Sequence, residues 1–219
     1  MIVVDVETTG LDSRRCSIVG IGAVDLDNPS NRFYMECRAD QGAKVEDTAM
    51  KIIGMTRDEV FDQSKPTVAE AVKAFLDWTG TVKGDRTIAG MNPSFDRDFL
   101  QRASYKAGLT WPFTHRTVDL FTACYIRCEE LGNWPSNILE KRMLGADAAF
   151  NYCGLPKEPR PHKAINGALY EAEAFYRLRH GKSLLPEFAQ YKVPDYLVQS
   201  GRNVMLLRNE AHAKQKSTA

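Results

Sequence analysis

The residues most suited to chemistry stand in the first apolar segment of the chain, where two carboxylates, Asp5 and Glu7, are separated by one valine. The segment at 1–6 is β-branched and predicts a strand. Residues i and i+2 of a strand project from the same face, so the two carboxylates repel each other unless a cation lies between them. Mg²⁺ prefers oxygen ligands of this kind. The same pattern also fits a strand end whose polar face is in water.

Two further residues are candidates for the same site. Asp96 ends the segment Asn92-Pro-Ser-Phe-Asp, which follows a strand predicted at 87–91 and opens a helix predicted at about 95–107. His162 follows Pro-Arg-Pro and begins the last helix, predicted at about 162–179. Taken singly, an aspartate in a first helical turn stabilises the helix dipole, and a lone histidine at a helix start is a surface or capping residue. Their chemistry depends on whether the fold gathers them.

In this order, three segments resemble the motifs of the DEDDh branch of the DnaQ-like 3′–5′ exonucleases, and the resemblance covers about residues 1–179. The motifs are Val-Asp5-Val-Glu7-Thr-Thr-Gly-Leu11, Gly-Met-Asn92-Pro-Ser-Phe-Asp96-Arg-Asp-Phe-Leu100 and Pro-His162-Lys-Ala-Ile-Asn-Gly167-Ala. The resemblance implies an RNase H-like α/β sandwich. It also implies two Mg²⁺ or Mn²⁺ ions about 3.5–4 Å apart, one activating water and one stabilising the leaving 3′ oxygen. Asp5, Glu7 and Asp96 would hold the ions. His162 would be the general base, and histidine ordinarily titrates near pH 6.5, which suits that role.

The resemblance also implies which residues contact the substrate. The turn formed by Thr8, Thr9 and Gly10 would expose its backbone near the terminal nucleotide. Leu11 and Phe95 would pack beside the base or under the site, although core packing explains them equally well. Basic residues around His162 would hold phosphates without reading sequence, although they also fit a solvated loop. The remaining candidates for substrate contact are Asn92, Arg160 and Lys163, with Lys157 nearby in sequence.

One position departs from the family pattern. The family's fourth carboxylate stands five residues after the histidine, where this chain has Gly167, which carries no ligand atom. Three explanations are open: a substitution introduced to inactivate the enzyme, use of another group, or a degenerate member that binds without cutting. Glu171, one turn along on the same helix face, is a candidate replacement, and Asn166 is a poorer one because it points about 100° away. Glu171 also fits a solvated helix residue.

The elements that must position these residues follow from hydrophobic periodicity. Strands are predicted at 1–6, 17–26, 32–38, 87–91 and 117–120, and helices at 46–53, 67–78, 95–107, 121–130, 137–153 and 162–179. A three-strand meander followed by alternating strands and helices predicts an α/β sandwich with a central mixed five-stranded sheet flanked by helices. We expect an exonuclease domain at 1–182. Residues 183–219 are expected to be an extension that packs on it and ends in a frayed polar tail.

Composition excludes several classes of protein. Of 219 residues, 43% are hydrophobic and 26% are charged, which is ordinary for a globular protein and unlike a disordered or fibrous chain. The net charge of +1 means that any nucleic-acid binding depends on a local site. The sequence has no apolar run long enough for a membrane helix and no secretory signal. The odd number of cysteines, five, predicts reduced thiols in the cytoplasm.

The sequence therefore predicts a metal-dependent 3′–5′ exonuclease that removes nucleoside 5′-monophosphates from single-stranded DNA or RNA ends. Because the first motif begins at Met1, we expect a stand-alone nuclease domain without a polymerase. Some relatives are homodimers, so a homodimer is a further expectation. The alternative is a catalytically degenerate module of the same fold that binds nucleic acid or a protein partner. Hydrolysis of another phosphodiester is also open.

Overall fold

The computed structural model describes residues 1–135 and 145–198, and its centre is a five-stranded sheet. The strands are β1 (Ile2–Thr8), β2 (Ile18–Asp25), β3 (Arg32–Glu36), β4 (Ile88–Gly90) and β5 (Thr117–Asp119). Their order is β3-β2-β1-β4-β5. The first three strands form an antiparallel meander, whereas β4 runs parallel to β1 and β5 parallel to β4. The mixed five-stranded α/β sheet predicted from the sequence is confirmed.

Helices precede, separate and follow the last two strands. They are α1 (Asp47–Ile53), α2 (Arg57–Val60), α3 (Val68–Thr79), α4 (Pro93–Lys106), α5 (Leu120–Leu131), α6 (Ala146–Tyr152) and α7 (Ala164–His180), with a 3₁₀ turn at Pro186–Phe188. The helix predicted at 137–153 is only partly tested, because 136–144 lie outside the described residues, as does the polar tail beyond 198. The four residues of α2 are too few to give a periodic signal, and the sequence did not predict them.

The start of the last helix differs from the prediction. Helix α7 begins at Ala164, so His162 lies in the segment before it. The backbone N–H of His162 donates to the carbonyl oxygen of Ile52, a residue of α1, at 3.0 Å. A contact with another helix therefore holds His162, and the first turn of α7 forms after it.

The chain divides into two compact units, the first of which contains the whole sheet. This unit comprises Met1–Asp119 and Glu158–Glu171. Alternate residues of β1, namely Ile2, Val4 and Val6, belong to its core, together with apolar residues of α3 and α4. Helix α3 begins with a capping box in which Thr67 and Glu70 satisfy each other's backbone N–H groups. Since side chains alternate along a strand, the core places Asp5 and Glu7 on the opposite face of β1.

The second unit comprises Leu120–Lys157 and Ala172–Ala219. Its centre is Arg177, which is fully buried and pairs with the buried Glu173 at 2.6 Å. The guanidinium also donates to four carbonyl oxygens, those of Cys153, Gly154, Phe188 and Tyr191. Glu173 accepts from Ser183, Leu184 and Leu185. The domain bounds expected at 1–182 and 183–219 stay a prediction.

Two further observations concern the described residues only. All five cysteines are buried and none forms a disulfide. In the part of the chain that the structure describes, every helix is too short or too polar to cross a membrane.

Candidate active site

Two glycines of β2 leave space on the face of the sheet that carries Asp5 and Glu7. In the register between β1 and β2, Asp5 lies opposite Gly22 and Glu7 opposite Gly20. A Cβ atom at Gly22 would overlap the backbone of Ala164, the first residue of α7. Opposed residues of an antiparallel pair project to the same face. The start of α7 therefore reaches the face that carries the two carboxylates.

Asp96 is held beside β1 by the shortness of β4. The pairing of β1 with β4 covers only Ile2 and Val3, so the N–H groups further along that edge have no strand partner. Asp96, 4% exposed, accepts a hydrogen bond at 3.0 Å from the N–H of Val6, which lies between Asp5 and Glu7. The first and second motifs are thus joined by one buried hydrogen bond.

The turn into α4 is fixed by its own contacts. Asn92 has φ 53° and ψ 52°, a left-handed conformation that asparagine tolerates better than most residues. Its N–H donates at 3.0 Å to the carboxylate of Asp119 at the end of β5. Its side-chain oxygen accepts from Ser94 at 2.9 Å. These contacts orient the first turn of α4, and with it Asp96.

His162 is positioned by the end of α1. Gly54 ends α1 with φ 66°, and a Cβ atom there would lie 2.6 Å from the ring of Pro161. Only glycine permits this approach without strain. The backbone N–H of His162 is bonded to Ile52, and Nδ1 of the His162 ring lies 3.6 Å from a carboxylate oxygen of Glu158. The His162 side chain is 28% exposed and that of Glu158 is 8% exposed.

The space at Gly167 is already taken by Asp5. A Cβ atom at Gly167 would lie 2.8 Å from Cγ of Asp5, and closer still to Oδ2. The carboxylate of Asp5 thus packs against the helix backbone where the family's fourth carboxylate begins. The absent side chain and the orientation of Asp5 are therefore coupled.

Glu171 points into the same site from the next turn of α7. It is 5% exposed, and the backbone of Met91 hydrogen-bonds to its carboxylate. Within residues 1–135 and 145–198, its Oε2 atom has no hydrogen-bond partner. The same atom lies 3.0 Å from where a Cβ atom of Gly90 would stand, so glycine at the end of β4 makes room for it. A buried carboxylate oxygen without a partner is costly unless a cation or proton neutralises it.

The electrostatics show that these carboxylates form one cluster. Burial, opposed by a backbone hydrogen bond from Val6, raises the pKa of Asp5 to about 7. Burial, then the charges of Asp5 and Glu158, raise the pKa of Glu7 to about 8. Burial and the charge of Asp5 also raise the pKa values of Asp96 and Glu171 well above their usual range. At neutral pH these four carboxyl groups therefore lack the positive charge that would stabilise their ionised forms.

The donor set fits a hard divalent cation. In the described ranges, no three His, Cys, Asp or Glu side chains already converge as a metal-binding group. Nevertheless, the mutual repulsion of Asp5, Glu7 and Asp96 and the unpartnered oxygen of Glu171 are what a divalent cation with oxygen ligands neutralises.

The candidate substrate residues lie in different environments. Thr9 is fully buried, and its hydroxyl donates to the carbonyl of Lys44 and accepts from the N–H of Ser17. Thr8 is also buried and donates to the carbonyl of Gly10. Leu11 is 79% exposed, so core packing does not explain it. The others are Phe95, which packs against the core and lies 4.9 Å from the Phe99 ring, and the exposed Arg160 and Lys163. Their roles toward substrate stay predictions.

Sequence reasoning missed four residues that contribute to this geometry. Glu158 gave a signal only as an acid four residues before the histidine. Gly20 and Gly22 repeat the i, i+2 spacing of Asp5 and Glu7, which was a usable sign that an element crosses there. Gly54 follows an amphipathic segment, as a helix-ending glycine does.

The fold and the acidic cluster define an RNase H-like nuclease domain. The family model of the RNase T exonucleases, described as "Exonuclease", matches residues 2–175. The chain therefore belongs to this exonuclease family, and the resemblance of its motifs to the DnaQ-like group is confirmed.

Individual relatives agree with that assignment. The chain is 32% identical over 142 residues to the PolC-type DNA polymerase III of Bacillus cereus, and the match covers 65% of this chain and 9% of the polymerase. E. coli Exonuclease I in complex with a dT13 oligonucleotide superposes with a TM-score of 0.63 and 18% identity, over 82% of this chain and 41% of that one. The nuclease domain of 3′hExo, a DEDDh family member bound to rAMP, gives 0.57 and 16% identity over 89% and 95%. The two structures show the fold alone.

Proposed function

We propose that this chain is a divalent-metal-dependent 3′–5′ exonuclease that releases nucleoside 5′-monophosphates from single-stranded DNA or RNA ends. The observation that carries the proposal is the carboxylate cluster that the fold assembles from β1, α4 and α7, with Asp96 and Glu171 buried and Asp5 and Glu7 part-buried. A pure binding module has no physical need to keep such a self-repelling cluster, because unpaired buried charge destabilises the fold.

In this proposal, Asp5, Glu7 and Asp96 hold two Mg²⁺ or Mn²⁺ ions, and Glu171 supplies the carboxylate that Gly167 lacks. When bound, the ions polarise the phosphodiester and favour attack by water. Glu171 suits the role because its oxygen is buried, unpartnered among the described residues and fixed by the backbone of Met91. Asp5 is free to lie against α7 because position 167 has no side chain.

His162 is the proposed general base. Its Nδ1 faces Glu158 at 3.6 Å, which favours the tautomer that carries the proton on Nδ1 and leaves Nε2 to accept one. Its partly exposed side chain can reach a water molecule that attacks the terminal phosphate. Glu158 is then a positioning residue, and it also adds negative charge near Glu7.

The substrate class is supported by the neighbours. Exonuclease I is bound to an oligonucleotide and 3′hExo to rAMP, and this chain shares their fold. We propose that the turn at Thr8, Thr9 and Gly10, together with Leu11 and Phe95, receives the terminal nucleotide. Asn92, Arg160 and Lys163 complete the proposed set. The cytoplasmic location and the homodimer stay proposals; light scattering after size exclusion tests the second.

The degenerate binding module remains the second candidate because of Gly167. The deciding experiment is degradation of 5′-labelled single-stranded DNA and RNA with Mg²⁺, with Mn²⁺ or with EDTA. We expect metal-dependent shortening from the 3′ end by this chain and a loss of at least about 100-fold in Glu7→Ala. If only Gly167→Asp cuts, Gly167 inactivates this chain. If neither form cuts while both bind the oligonucleotide, the binding module is correct.

The role of Glu171 has its own test. Glu171→Gln keeps the size of the side chain but removes its charge, and Glu130→Gln makes the same change in an exposed pair with Arg127. We expect Glu171→Gln to weaken Mn²⁺ binding, measured by calorimetry and by the metal-induced rise in Tm, about 10-fold or more. Equal metal affinity in Glu171→Gln and the unchanged chain would exclude Glu171 as a ligand.

A further inference from the structure

A basic groove lies on the first unit, and its lining contains none of the four carboxylates of the candidate active site. Its inner part is a cavity of about 200 Å³ whose lining includes Arg14, Arg15, Arg102 and Lys106. An open depression of about 670 Å³ shares Arg14, Arg102 and Lys106 and adds Tyr105. We call these five residues the basic groove. The cavity is smaller than the ~300–1,000 Å³ that drug-sized ligands need, so it suits a group of about the size of a phosphate.

The groove concentrates positive charge in a chain whose net charge is only +1. Two acids line it, and both are already engaged. Asp40 pairs with Lys106 at 2.7 Å, and Asp98 pairs with Arg97 at 2.7 Å. Neither Arg14 nor Arg102 has an ion-pair partner within the described 1–135 and 145–198. Both arginines are exposed, so they are available to an anion.

Tyr105 adds an aromatic face to the same depression. It is 62% exposed, among the most exposed large apolar residues described, and its hydroxyl contacts Gln101 at 3.3 Å. An exposed aromatic ring beside cationic side chains is the combination that binds single-stranded nucleic acid, since the bases stack while the phosphates pair with the charges.

Both walls of the groove belong to segments that also contribute to the proposed active site. Arg14 and Arg15 lie three and four residues after Leu11, and the N–H of Thr9 donates to the carbonyl of Ser17 at 2.9 Å. Arg102 and Lys106 lie on α4, whose first turn holds Asp96. At ~1.5 Å per residue they stand about 9 and 15 Å along the helix from Asp96. A strand rising ~3.4 Å per nucleotide covers that distance in roughly three to four nucleotides.

We propose that the basic groove binds the phosphates of the nucleic-acid strand about three to four nucleotides upstream of the 3′ end, with Tyr105 stacking on a base. The proposal rests on the proposed function, because it places the 3′ end at the carboxylate cluster. The groove makes strand length, and not only the terminal nucleotide, a determinant of affinity.

The test is fluorescence anisotropy of 5′-labelled single-stranded 12-mers, DNA and RNA, in EDTA so that no hydrolysis occurs. The variants are Arg14→Gln, Arg102→Gln and their combination, with Arg57→Gln as an exposed control. We expect each single variant to bind about 3- to 10-fold more weakly and to lower the slope of log affinity against log salt by about 0.7. Tyr105→Leu should weaken binding about 10-fold with an unchanged salt slope.

Hydrolysis separates this proposal from the proposed function. With Mg²⁺, the groove variants should cleave a labelled dinucleotide as the unchanged chain does but lose kcat/KM on the 12-mer. If the unchanged chain cuts neither substrate, the proposed function fails, while the anisotropy still tests the groove. If the arginine variants bind like Arg57→Gln, or the unchanged chain binds no oligonucleotide, the groove proposal is overturned.

Discussion

Replacing Gly167 by alanine should destabilise the metal-free protein, although glycine to alanine within a helix ordinarily stabilises by about 1 kcal/mol. The reason is the Asp5 carboxylate. The new Cβ atom would lie 2.8 Å from Cγ of Asp5 and closer to Oδ2, so the Asp5 side chain must rotate away. Making room for an added atom in a well-packed site forces a side chain off its preferred rotamer, at a cost of about 1–3 kcal/mol.

The two terms give a net loss of about 1 kcal/mol, which lowers Tm by about 2–4 °C in a chain of this size. In the Asp5→Ala background, only a Cβ contact at 3.3 Å remains, so the same replacement should recover up to about 1 kcal/mol. The double-mutant cycle therefore predicts a coupling free energy of about 2 kcal/mol, well above the ~0.5 kcal/mol expected for independent sites.

Urea denaturation in EDTA measures all four corners of this cycle, and Asn166→Ala controls for helix propensity in the same turn. Equal m-values are required for the comparison to report on stability alone. If Gly167→Ala stabilises the protein equally with and without the Asp5 carboxylate, that carboxylate does not occupy the space beside the helix. The account of the missing ligand would then be wrong.

Three further results are expected. Gly54→Ala should lower both stability and activity, because the new Cβ atom would lie 2.6 Å from the ring of Pro161. Gly108→Ala is the control: it has φ 69° and open space around it, so it should lose only the ~1–2 kcal/mol that left-handed backbone costs. Equal activity in the two variants would contradict this prediction. The pKa values of Asp5 and Glu7 are raised to about 7 and about 8, so the folded state binds more protons than the unfolded state. Tm in EDTA should therefore fall as pH rises from about 4 to about 8, and excess Mg²⁺ should reduce this fall. A Tm that rises over this range would contradict the prediction. Arg177→Met should lower the free energy of unfolding, measured in urea, by about 3–5 kcal/mol, because it removes the donor that the buried Glu173 and four carbonyl oxygens share. A loss below about 1 kcal/mol would show that the ion pair is dispensable for stability.

The sheet and most helices were predictable because their signals are local. The alternation of Ile2, Val4 and Val6 identifies a strand with one buried face, and Thr67 with Glu70 marks a helix start by a capping box. Such patterns depend on residues within one or two turns of each other.

Sequence reasoning could predict the site only where its residues belong to recognisable motifs. The structure brings Asp5, Glu7 and Asp96 together, because the topology of the fold joins the first strand to α4. Glu158 and Gly54 were missed because their roles depend on contacts with Pro161 and His162 that are distant in sequence or lie in an irregular loop. No periodicity reports contacts of that kind.

The same physical argument explains why Gly167 and Glu171 must be considered together. A carboxylate side chain at position 167 and Asp5 in its present orientation would overlap. Asp5 can adopt this orientation because residue 167 is glycine. In the proposed site, Glu171 supplies a carboxylate one turn later, and a Cβ atom at Gly90 would lie only 3.0 Å from its Oε2 atom. Four positions on three elements thus depend on one another. A change at Gly167 alone therefore alters the orientation of Asp5 before it adds a ligand, and any metal affinity gained or lost there reports on both effects.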